Sequence, residues 1–295
     1  MEAVLTKVPV VLHAAGPFIR TSQPMIEACL ETKTHYLDIT GEIPVFELAH
    51  RYGEAAEQND IMLMPGVGFD VVPTDCIAKF LAEQLPTATH LQLAFAIAGG
   101  GMSHGTAMTM VEGLGEPGAV RKDGKITAVP LGHKSMVVPF ASDRERLVVT
   151  IPWGDVSTAY YTTGIPNIET YTQIHPNALL WLRLSRYFAC LLRKEWVRNL
   201  IRGFINRREP GPDQQAREKA RSYVWGKVSD ANGASCAARL CTLEAYTLTA
   251  MTSVEVTRRV LAGDWSPGFQ TPAGNYGADF IIEVTDAERE LLNCS

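Results

Sequence analysis

The sequence predicts an α/β protein with an incomplete doubly wound, Rossmann-like parallel sheet, followed by an α+β domain with a mixed, largely antiparallel sheet. Two observations lead to this prediction. Over residues 1–86, a short apolar run, a turn of small residues and an amphipathic stretch follow one another three times, which is typical of alternating strands and helices. Over residues 87–295, the apolar runs come closer together and Asn232-Gly233 separates two of them, which favours strand hairpins.

Three strands are expected in the first domain, over 8–15, 35–39 and 61–64. Each is a short apolar run that stops at a turn, as a strand buried on both faces should. The short connections between the units favour parallel strands with right-handed crossovers. The carboxyl ends of the strands should therefore meet at one edge of the sheet, where α/β proteins bind their ligands.

A helix is expected after each of these strands. Pro24 suits the first turn of the first helix, and the second helix is expected over 44–58. The third helix is expected over about 74–85, with Thr74 or Asp75 as its cap. All three helices should pack on the faces of the sheet.

The turns after the three strands are rich in small residues, so their backbone can approach a ligand closely. Tight chain reversal explains each single turn as well, but three such turns on one edge favour a ligand-binding crevice. We predict that a cofactor is bound there by residues of all three turns: His13, Ala15, Gly16, Pro17, Phe18, Thr40, Gly41, Glu42, Gly68, Phe69 and Asp70.

The motif that normally opens a dinucleotide-binding domain does not precede the first predicted strand. That motif is a strand, a Gly-x-Gly-x-x-Gly turn and a helix whose amino terminus receives the pyrophosphate. We therefore expect the amino-terminal part of the Rossmann-like domain to be missing from this sequence. The strand over 8–15 should then lie at a sheet edge, and we expect self-association into a homo-oligomer to cover it.

Three stretches at these turns form a specific combination: Val-Leu-His-Ala-Ala-Gly-Pro-Phe (11–18), Thr-His-Tyr-Leu-Asp-Ile-Thr-Gly-Glu (34–42) and Pro-Gly-Val-Gly-Phe-Asp-Val-Val-Pro-Thr-Asp (65–75). With the later stretches 151–160, 163–167 and 268–273, they resemble the saccharopine dehydrogenase-like family of NAD(P)-dependent oxidoreductases, including its trans-acting enoyl reductase branch. The resemblance implies hydride transfer between NADP or NAD and a hydrophobic or acyl substrate. We expect weak or absent cofactor binding by this chain alone. The alternative is a non-enzymatic remnant or binding module that has lost cofactor binding.

Five residues are predicted to bind the substrate: Ser103, Gly105, Thr106, Trp153 and Asp155. The first three begin an apolar helix expected over 106–114, whose free N–H groups could hold a carboxylate or thioester oxygen. A flexible bend is the alternative for this glycine-rich stretch. Trp153 and Asp155 belong to the stretch 151–160 that resembles the family. No residue is identified as catalytic.

The second domain is expected to contain several strands and one long helix. The strands are expected over 90–98, twice within 133–152, and over 168–174, 222–231 and 234–240, and the helix over 242–262. Asn232-Gly233 predicts a two-residue hairpin turn, because both residue types tolerate a positive φ.

A basic amphipathic segment lies over residues 176–208. From 177 to 208 it holds eight basic residues and a single acid, Glu195, interleaved with leucine and aromatic residues. A solvated charged face over a packed apolar face is one interpretation. The other is peripheral contact with membrane lipid or with an acidic acyl-carrier partner.

Composition excludes several functional classes. Of the 295 residues, 46% are hydrophobic and 20% charged, and no uncharged apolar run is long enough to span a bilayer. The formal net charge of -5 gives no electrostatic reason to expect a nucleic acid partner. Because metal-ligand spacings, a Cys-x-x-Cys pair and an export signal are not found, we expect no metal, reduced cysteines and a cytoplasmic protein.

Overall fold

The structure is a computed structural model that describes residues 2–99, 108, 111, 113, 115–207 and 214–295. The predicted substrate residues Ser103, Gly105 and Thr106, and most of the helix expected over 106–114, lie outside these residues. The described strands form two sheets, a parallel one that we call sheet A and a mixed one that we call sheet B. This confirms the predicted fold class.

Strands and helices alternate at the start of the chain, and strands dominate its middle. The strands are β1 Val10–His13, β2 His35–Asp38, β3 Met62–Met64, β4 His90–Ala98, β5 Gly118–Lys122, β6 Lys125–Val129, β7 Ser135–Ala141, β8 Arg144–Thr150, β9 Asn167–Gln173, β10 Arg221–Ser229, β11 Ser235–Leu243, β12 Gly268–Phe269 and β13 Glu288–Cys294. The helices are α1 Glu2–Leu5, α2 Phe18–Thr32, α3 Ile43–Arg51, α4 Gly53–Gln58, α5 Val72–Gln84, α6 Asp155–Thr163, α7 Pro176–Ser185, α8 Ala189–Leu192, α9 Glu195–Ile205, α10 Gln214–Lys219, α11 Ala245–Leu261, α12 Pro272–Tyr276 and α13 Phe280–Val284, with a 3-10 turn at Arg186–Phe188.

Sheet A has the strand order β1-β2-β3-β12, with every pair parallel. Side chains on both faces of its central strands are fully buried, among them Tyr36, Leu37, Leu63 and Met64. This burial explains why the strands are continuous apolar runs in the sequence. The three parallel strands predicted in the first domain are therefore confirmed, while the fourth, β12, was not predicted as a strand.

The helices of the first domain differ from the prediction in three details. Pro24 lies inside α2, which already begins at Phe18, so its placement in the first turn was wrong. The second predicted helix is divided at Tyr52 into α3 and α4. Thr74 and Asp75 lie within the first turn of α5 and do not cap it. The residue before that helix is Val71, which has no side chain able to cap.

Sheet B has the order β13-β11-β10-β4-β9-β5-β6, and the hairpin β7–β8 joins it through β9. Only the pair β4–β9 is parallel among the described pairs of this sheet, which confirms its largely antiparallel character. The hairpin β5–β6 had no counterpart in the sequence prediction.

The predicted two-residue turn at Asn232-Gly233 is a longer loop. The amide of Asp230 donates to the carbonyl of Ala234 over 3.0 Å, and of the loop residues only Gly233 has a positive φ, of 93°. The Asp230 carboxylate accepts from the amides of Asn232 and Ala234. This side-chain acceptor stabilises a wider loop than the dipeptide alone predicts.

Helix α5 lies between the two sheets. A Cβ built on Gly226 of β10 would be 2.7 Å from Leu81 Cδ1 and 2.8 Å from Ile77 Cγ2, so helix and sheet approach as closely as a glycine allows. One buried apolar cluster includes Leu37 of sheet A and Val224 of sheet B. The division of the chain at 86/87 remains a prediction, because β12 returns to sheet A from the end of the chain.

Cys236 and Cys294 form a disulfide, so the expectation of reduced thiols was wrong for this pair. They face each other on the antiparallel strands β11 and β13, with their Cα atoms 4.1 Å apart. Because the two cysteines are 58 positions apart, the sequence alone does not indicate this pairing. Cys29, Cys76 and Cys241 are free.

Candidate functional site

The carboxyl edge of sheet A is organised by Asp38, the last residue of β2. Its Oδ1 atom accepts from the amides of Thr40 at 3.0 Å and Gly66 at 2.8 Å, and its Oδ2 atom accepts from the Tyr36 hydroxyl at 2.6 Å. The Gly66 amide belongs to the turn after β3, so this carboxylate joins the second and third turns. Burial raises the pKa of Asp38 to about 6, although its hydrogen bonds oppose the shift.

Glu42 joins the first turn to the second. Its carboxylate accepts from the amides of Phe18, at 3.1 Å, and Ile19, at 2.8 Å, at the start of α2. A negative group is favourable there, because helix N-terminal amides have no partner within the helix and carry a partial positive charge. A protein carboxylate thus takes the position that an anionic ligand would need.

His13 is buried beneath the first turn. Its Nδ1 atom lies 3.3 Å from the Tyr36 hydroxyl, and its ring meets Phe18 edge-on with 5.4 Å between the ring centres. Burial lowers the pKa of His13, so it is neutral at neutral pH. Ala15 and Gly16, in contrast, are exposed. Ala15 and Gly16 of the first turn are therefore open to solvent, whereas the residue beneath them, His13, is not.

The third turn is covered by α11 of the second domain. A Cβ at Gly68 would be 2.8 Å from Thr249 Cγ2, and the Thr249 hydroxyl accepts from the Phe69 amide at 3.0 Å. The Thr252 hydroxyl donates to the Val67 carbonyl at 2.7 Å. Sequence analysis missed both threonines, because nothing in an amphipathic helix pattern indicates which hydroxyl meets a distant backbone.

The start of α6 packs against the same edge and brings predicted substrate residues to predicted cofactor residues. The Trp153 indole Nε1 donates to the Asp70 carbonyl at 2.8 Å. A Cβ at Gly154 would be 3.3 Å from the Gly41 carbonyl, and one at Gly41 would be 2.7 Å from Asp70 Oδ2. Trp153, Asp70 and Gly41 therefore form one contiguous surface.

An aromatic wall lies beside this surface. The Trp153 and Phe95 rings are 4.9 Å apart between centres, and Phe95 meets Phe69 edge-on at 5.8 Å. Phe95 comes from β4, so both sheets contribute to the wall. Such a wall suits an apolar group better than a charged one.

Asp155 is the most unusual acid of the site. It is fully buried at the first position of α6, and neither of its carboxylate oxygens has a hydrogen-bond partner among the residues that the structure describes. Burial raises the pKa of Asp155 well above its usual range, and the neighbouring charges of Asp75 and Asp70 raise it further. Burial therefore favours the neutral carboxylic acid over the carboxylate at this position.

Two further acids lie close to Asp155. Burial raises the pKa of Asp70 to about 7. Burial also raises that of Asp75 to about 6, although its carboxylate accepts from the Thr162 hydroxyl at 2.5 Å and the Ala273 amide at 2.8 Å. Asp75 thus links α5, α6 and the start of α12, a connection that sequence analysis missed.

An ion pair next to the site joins β5 to α3, with Arg121 buried and Glu47 half-buried. Arg121 of β5 is 5% exposed, and its guanidinium lies 3.2 Å from Glu47 Oε1 of α3. Glu47 also accepts from the Ser157 hydroxyl at 2.6 Å, and Arg121 donates to the Val156 carbonyl at 2.7 Å. These contacts fix the start of α6 against the first domain.

A pyrophosphate would need free backbone amides and open space at the three turns. The first amides of α2 are taken by Glu42, and the space beside Gly41 and Gly68 is filled by Asp70 and Thr249. The turns as folded therefore do not fit a pyrophosphate. Within the described ranges, no group of three His, Cys, Asp or Glu side chains could hold a metal ion.

Known proteins share both sequence and fold with this chain. The saccharopine dehydrogenase-like oxidoreductase of Rattus norvegicus is 29% identical over 128 residues, which are 41% of this chain and 30% of that protein. The trans-acting enoyl reductase of Mycobacterium leprae is 35% identical over 79 residues, 25% of this chain and 18% of that protein. No family model matches.

The resemblance to the saccharopine dehydrogenase-like oxidoreductases is confirmed. The matched segments span less than a third of the length of these two relatives. The structure of apo saccharopine dehydrogenase (L-Glu forming) from Saccharomyces cerevisiae superposes with a TM-score of 0.61 at 12% identity, covering 99% of this chain and 86% of that one. The two proteins share a fold.

Proposed function

We propose that this chain supplies the substrate side of a nicotinamide-dependent oxidoreductase that acts on a hydrophobic or acyl substrate. The observation that carries the proposal is the packing of Trp153-Gly154-Asp155 against Gly41 and Asp70 at the carboxyl edge of sheet A. Ligands of α/β sheets bind at this edge. The confirmed sequence relatives, an oxidoreductase and an enoyl reductase by name, support the same reaction class.

The residues of the site have distinct proposed roles. The aromatic wall of Phe69, Phe95 and Trp153 would bind the apolar part of the substrate. Asp155, kept neutral by burial, would hold a proton close to the reacting group. The nicotinamide of NADP or NAD would supply the hydride. Because the described turns do not fit its pyrophosphate, we propose no residue of this chain as its phosphate ligand.

The location and partners of the enzyme form part of the proposal. The basic segment over 177–208 would bring the chain to membrane lipid or to an acidic acyl carrier, where such a substrate resides. Self-association would cover the free edge of β1, which pairs with β2 alone among the described strands. A cytoplasmic location remains a prediction.

The non-enzymatic binding module is the second candidate. The carboxylate of Glu42 on the α2 amides favours it, because that carboxylate excludes an anion from the position where related folds would bind one.

Calorimetric titration separates the two candidates. NADPH and NADH should each bind to this chain with a dissociation constant weaker than about 100 μM, and a long-chain acyl thioester should bind more tightly. Trp153→Ala should weaken acyl thioester binding at least about fivefold, because it removes part of the aromatic wall. Trp265→Ala, beside His35 at the amino end of β2, is the matched control.

The outcomes are distinct. Acyl binding that is lost in Trp153→Ala and kept in the control supports the oxidoreductase proposal. The absence of acyl binding favours the binding module. A dinucleotide affinity of about 1 μM or tighter would show that other residues provide a phosphate site.

A further inference from the structure

The segment from α7 to α9 exposes an unusual set of side chains. Five large aromatic residues are mostly exposed among those that the structure describes, and all five lie in this segment. Their exposed fractions are 72% for Trp181, 70% for Tyr187, 59% for Phe188, 63% for Trp196 and 62% for Phe204. Leu180, Leu184, Leu191 and Leu200 are exposed there as well. Exposed apolar clusters of this kind mark an interaction site. We call these nine side chains the aromatic surface.

Helix α9 shows how this surface is built. Trp196, Leu200 and Phe204 are spaced by four residues and so lie on one face of the helix. Val197 and Ile201 lie on the half-buried side of the helix, together with Arg198 and Arg202. Trp196, Leu200 and Phe204 are 63%, 57% and 62% exposed. These three side chains are therefore directed away from the protein core.

Polar contacts attach the segment to the rest of the chain. The Arg193 Nε atom donates to the Gly115 carbonyl at 3.0 Å, and Arg198 lies 3.4 Å from Glu116 Oε1. Arg183 donates to the Ser135 hydroxyl at 3.1 Å. A helix that packs on its own protein normally turns its apolar face inward and its charges outward. In this segment, arginines contact the protein, and Trp196, Leu200 and Phe204 face solvent.

The positive charge of this segment indicates which partner binds to the aromatic surface. The sequence from 177 to 208 has eight basic residues and one acid, although the whole chain has a net charge of -5. Lys194 and Arg207 are exposed at the two ends of α9, beside the apolar face. Basic residues flanking exposed Trp, Phe and Leu on a helix of this length are typical of helices that lie in the plane of a membrane interface. Tryptophan is favoured there, because its ring is apolar and its N–H is polar.

We infer that the aromatic surface lies on an anionic phospholipid membrane, with α9 parallel to the membrane plane. Among the described residues, no helix is long and apolar enough to cross a bilayer, so the contact is with one leaflet. Trp196, Leu200 and Phe204 enter the headgroup region, and Lys194 and Arg207 meet lipid phosphates. The inference does not depend on the oxidoreductase reaction, since it concerns a different surface.

The test is flotation of the purified chain with phospholipid vesicles. Vesicles of phosphatidylcholine with phosphatidylserine should carry the protein upward, and pure phosphatidylcholine vesicles should carry much less. Binding to the anionic vesicles should fall as salt is raised, because salt screens the basic residues. Vesicles with brominated acyl chains should quench tryptophan fluorescence, and Trp181→Phe with Trp196→Phe should remove most of that quenching.

Two matched double variants test whether the aromatic surface makes the contact with the vesicles. Trp196→Glu combined with Leu200→Glu should lower vesicle partitioning at least about tenfold, because two apolar contacts are lost and two negative charges are added. Val254→Glu combined with Leu261→Glu, at 63% and 60% exposure on α11, is the control and should change it less than about twofold. Equal thermal midpoints for the two variants would show that folding is not the cause.

Four results would overturn the inference. The first is no binding to anionic vesicles, and the second is equal loss in both double variants. The third is a light-scattering mass that corresponds to a dimer and falls to a monomer in Trp196→Glu/Leu200→Glu without any vesicle binding, since the surface would then contact a second copy. Binding of an acidic acyl carrier protein with no binding to vesicles would overturn it in the same way.

Discussion

The carboxyl edge of sheet A and the aromatic surface use their side chains in opposite ways. At the sheet edge, Asp38 and Glu42 satisfy the backbone amides of neighbouring turns, and protein atoms fill the space beside Gly41 and Gly68. On the aromatic surface, large apolar side chains are 40% to 72% exposed. A network of paired polar groups is typical of structural precision, and a region with apolar groups exposed is typical of contact with something outside the chain.

The largest expected effect of a single substitution lies at the sheet edge. Asp38→Ala leaves the Tyr36 hydroxyl and the amides of Thr40 and Gly66 without their acceptor in a buried place. We expect the free energy of unfolding to fall by roughly 3–5 kcal/mol, measured by urea denaturation. Asp38→Asn keeps one acceptor oxygen and should lose less. Equal stability of Asp38→Ala and the wild type would show that the turns do not depend on this carboxylate.

A pH-dependent effect is expected at Asp70. Because burial raises its pKa to about 7, the folded protein binds a proton there that the unfolded chain releases near pH 4. Stability from this residue is therefore lost as the pH rises from about 4 to about 7. Asp70→Asn should be more stable than the wild type by roughly 3 kcal/mol at pH 8, after allowance for partial exposure.

The difference between Asp70→Asn and the wild type should disappear near about pH 3, where the carboxyl is protonated in both states. Thermal unfolding at a series of pH values measures it. A constant difference across that range would mean that the substitution acts through packing and not through the proton.

The same substitution in both regions sharpens the comparison. A Cβ at Gly154 would be 2.6 Å from Phe46 Cε2, whereas nothing lies within 4 Å of one at Gly203 in α9. Gly154→Ala should lower the free energy of unfolding by about 1–2 kcal/mol through overpacking. Gly203→Ala should leave it unchanged or raise it by up to about 1 kcal/mol, since alanine favours helix. A loss in both variants, seen by chemical denaturation, would contradict the comparison.

The smallest effect on folding is expected at the aromatic surface. Phe204→Ala should change the free energy of unfolding by less than about 0.5 kcal/mol, because Phe204 is 62% exposed. Phe46→Ala, at a fully buried position, should lower it by about 3–5 kcal/mol. If Phe204→Ala proved equally destabilising, this phenylalanine would be covered in solution by another part of the protein.

The sequence predicted those features that depend on local pattern. The runs at β1, β2 and β3 alternate with amphipathic helices, and each run and helix needs only its own residues to be recognised. The prediction of Trp153 and Asp155 as substrate-binding residues came from the family resemblance, and their packing against the turns was not predicted. The packing depends on Gly154, because a side chain at this position would collide with Phe46.

Features that depend on distant partners were not predictable. The capping of α2 by Glu42 joins residues 24 positions apart, and Thr249 contacts a turn 180 positions away. The division of α3 from α4 at Tyr52 and the wide loop at Asp230 involve local hydrogen bonds that compete with a regular pattern. The ion pair of Glu47 and Arg121 could not be found, because the strand that carries Arg121 was itself not predicted.

The pairing of β12 with β3 has a consequence for biosynthesis. The Gly268 amide donates to the Ile61 carbonyl, so the last strand of sheet A leaves the ribosome more than 200 residues after its neighbour. Thr249 and the Ala273 amide, which contact the third turn and Asp75, emerge equally late. Sheet A therefore stays incomplete during most of the synthesis of the chain. Because this leaves apolar surface exposed, we expect slow folding and a need for chaperones during translation.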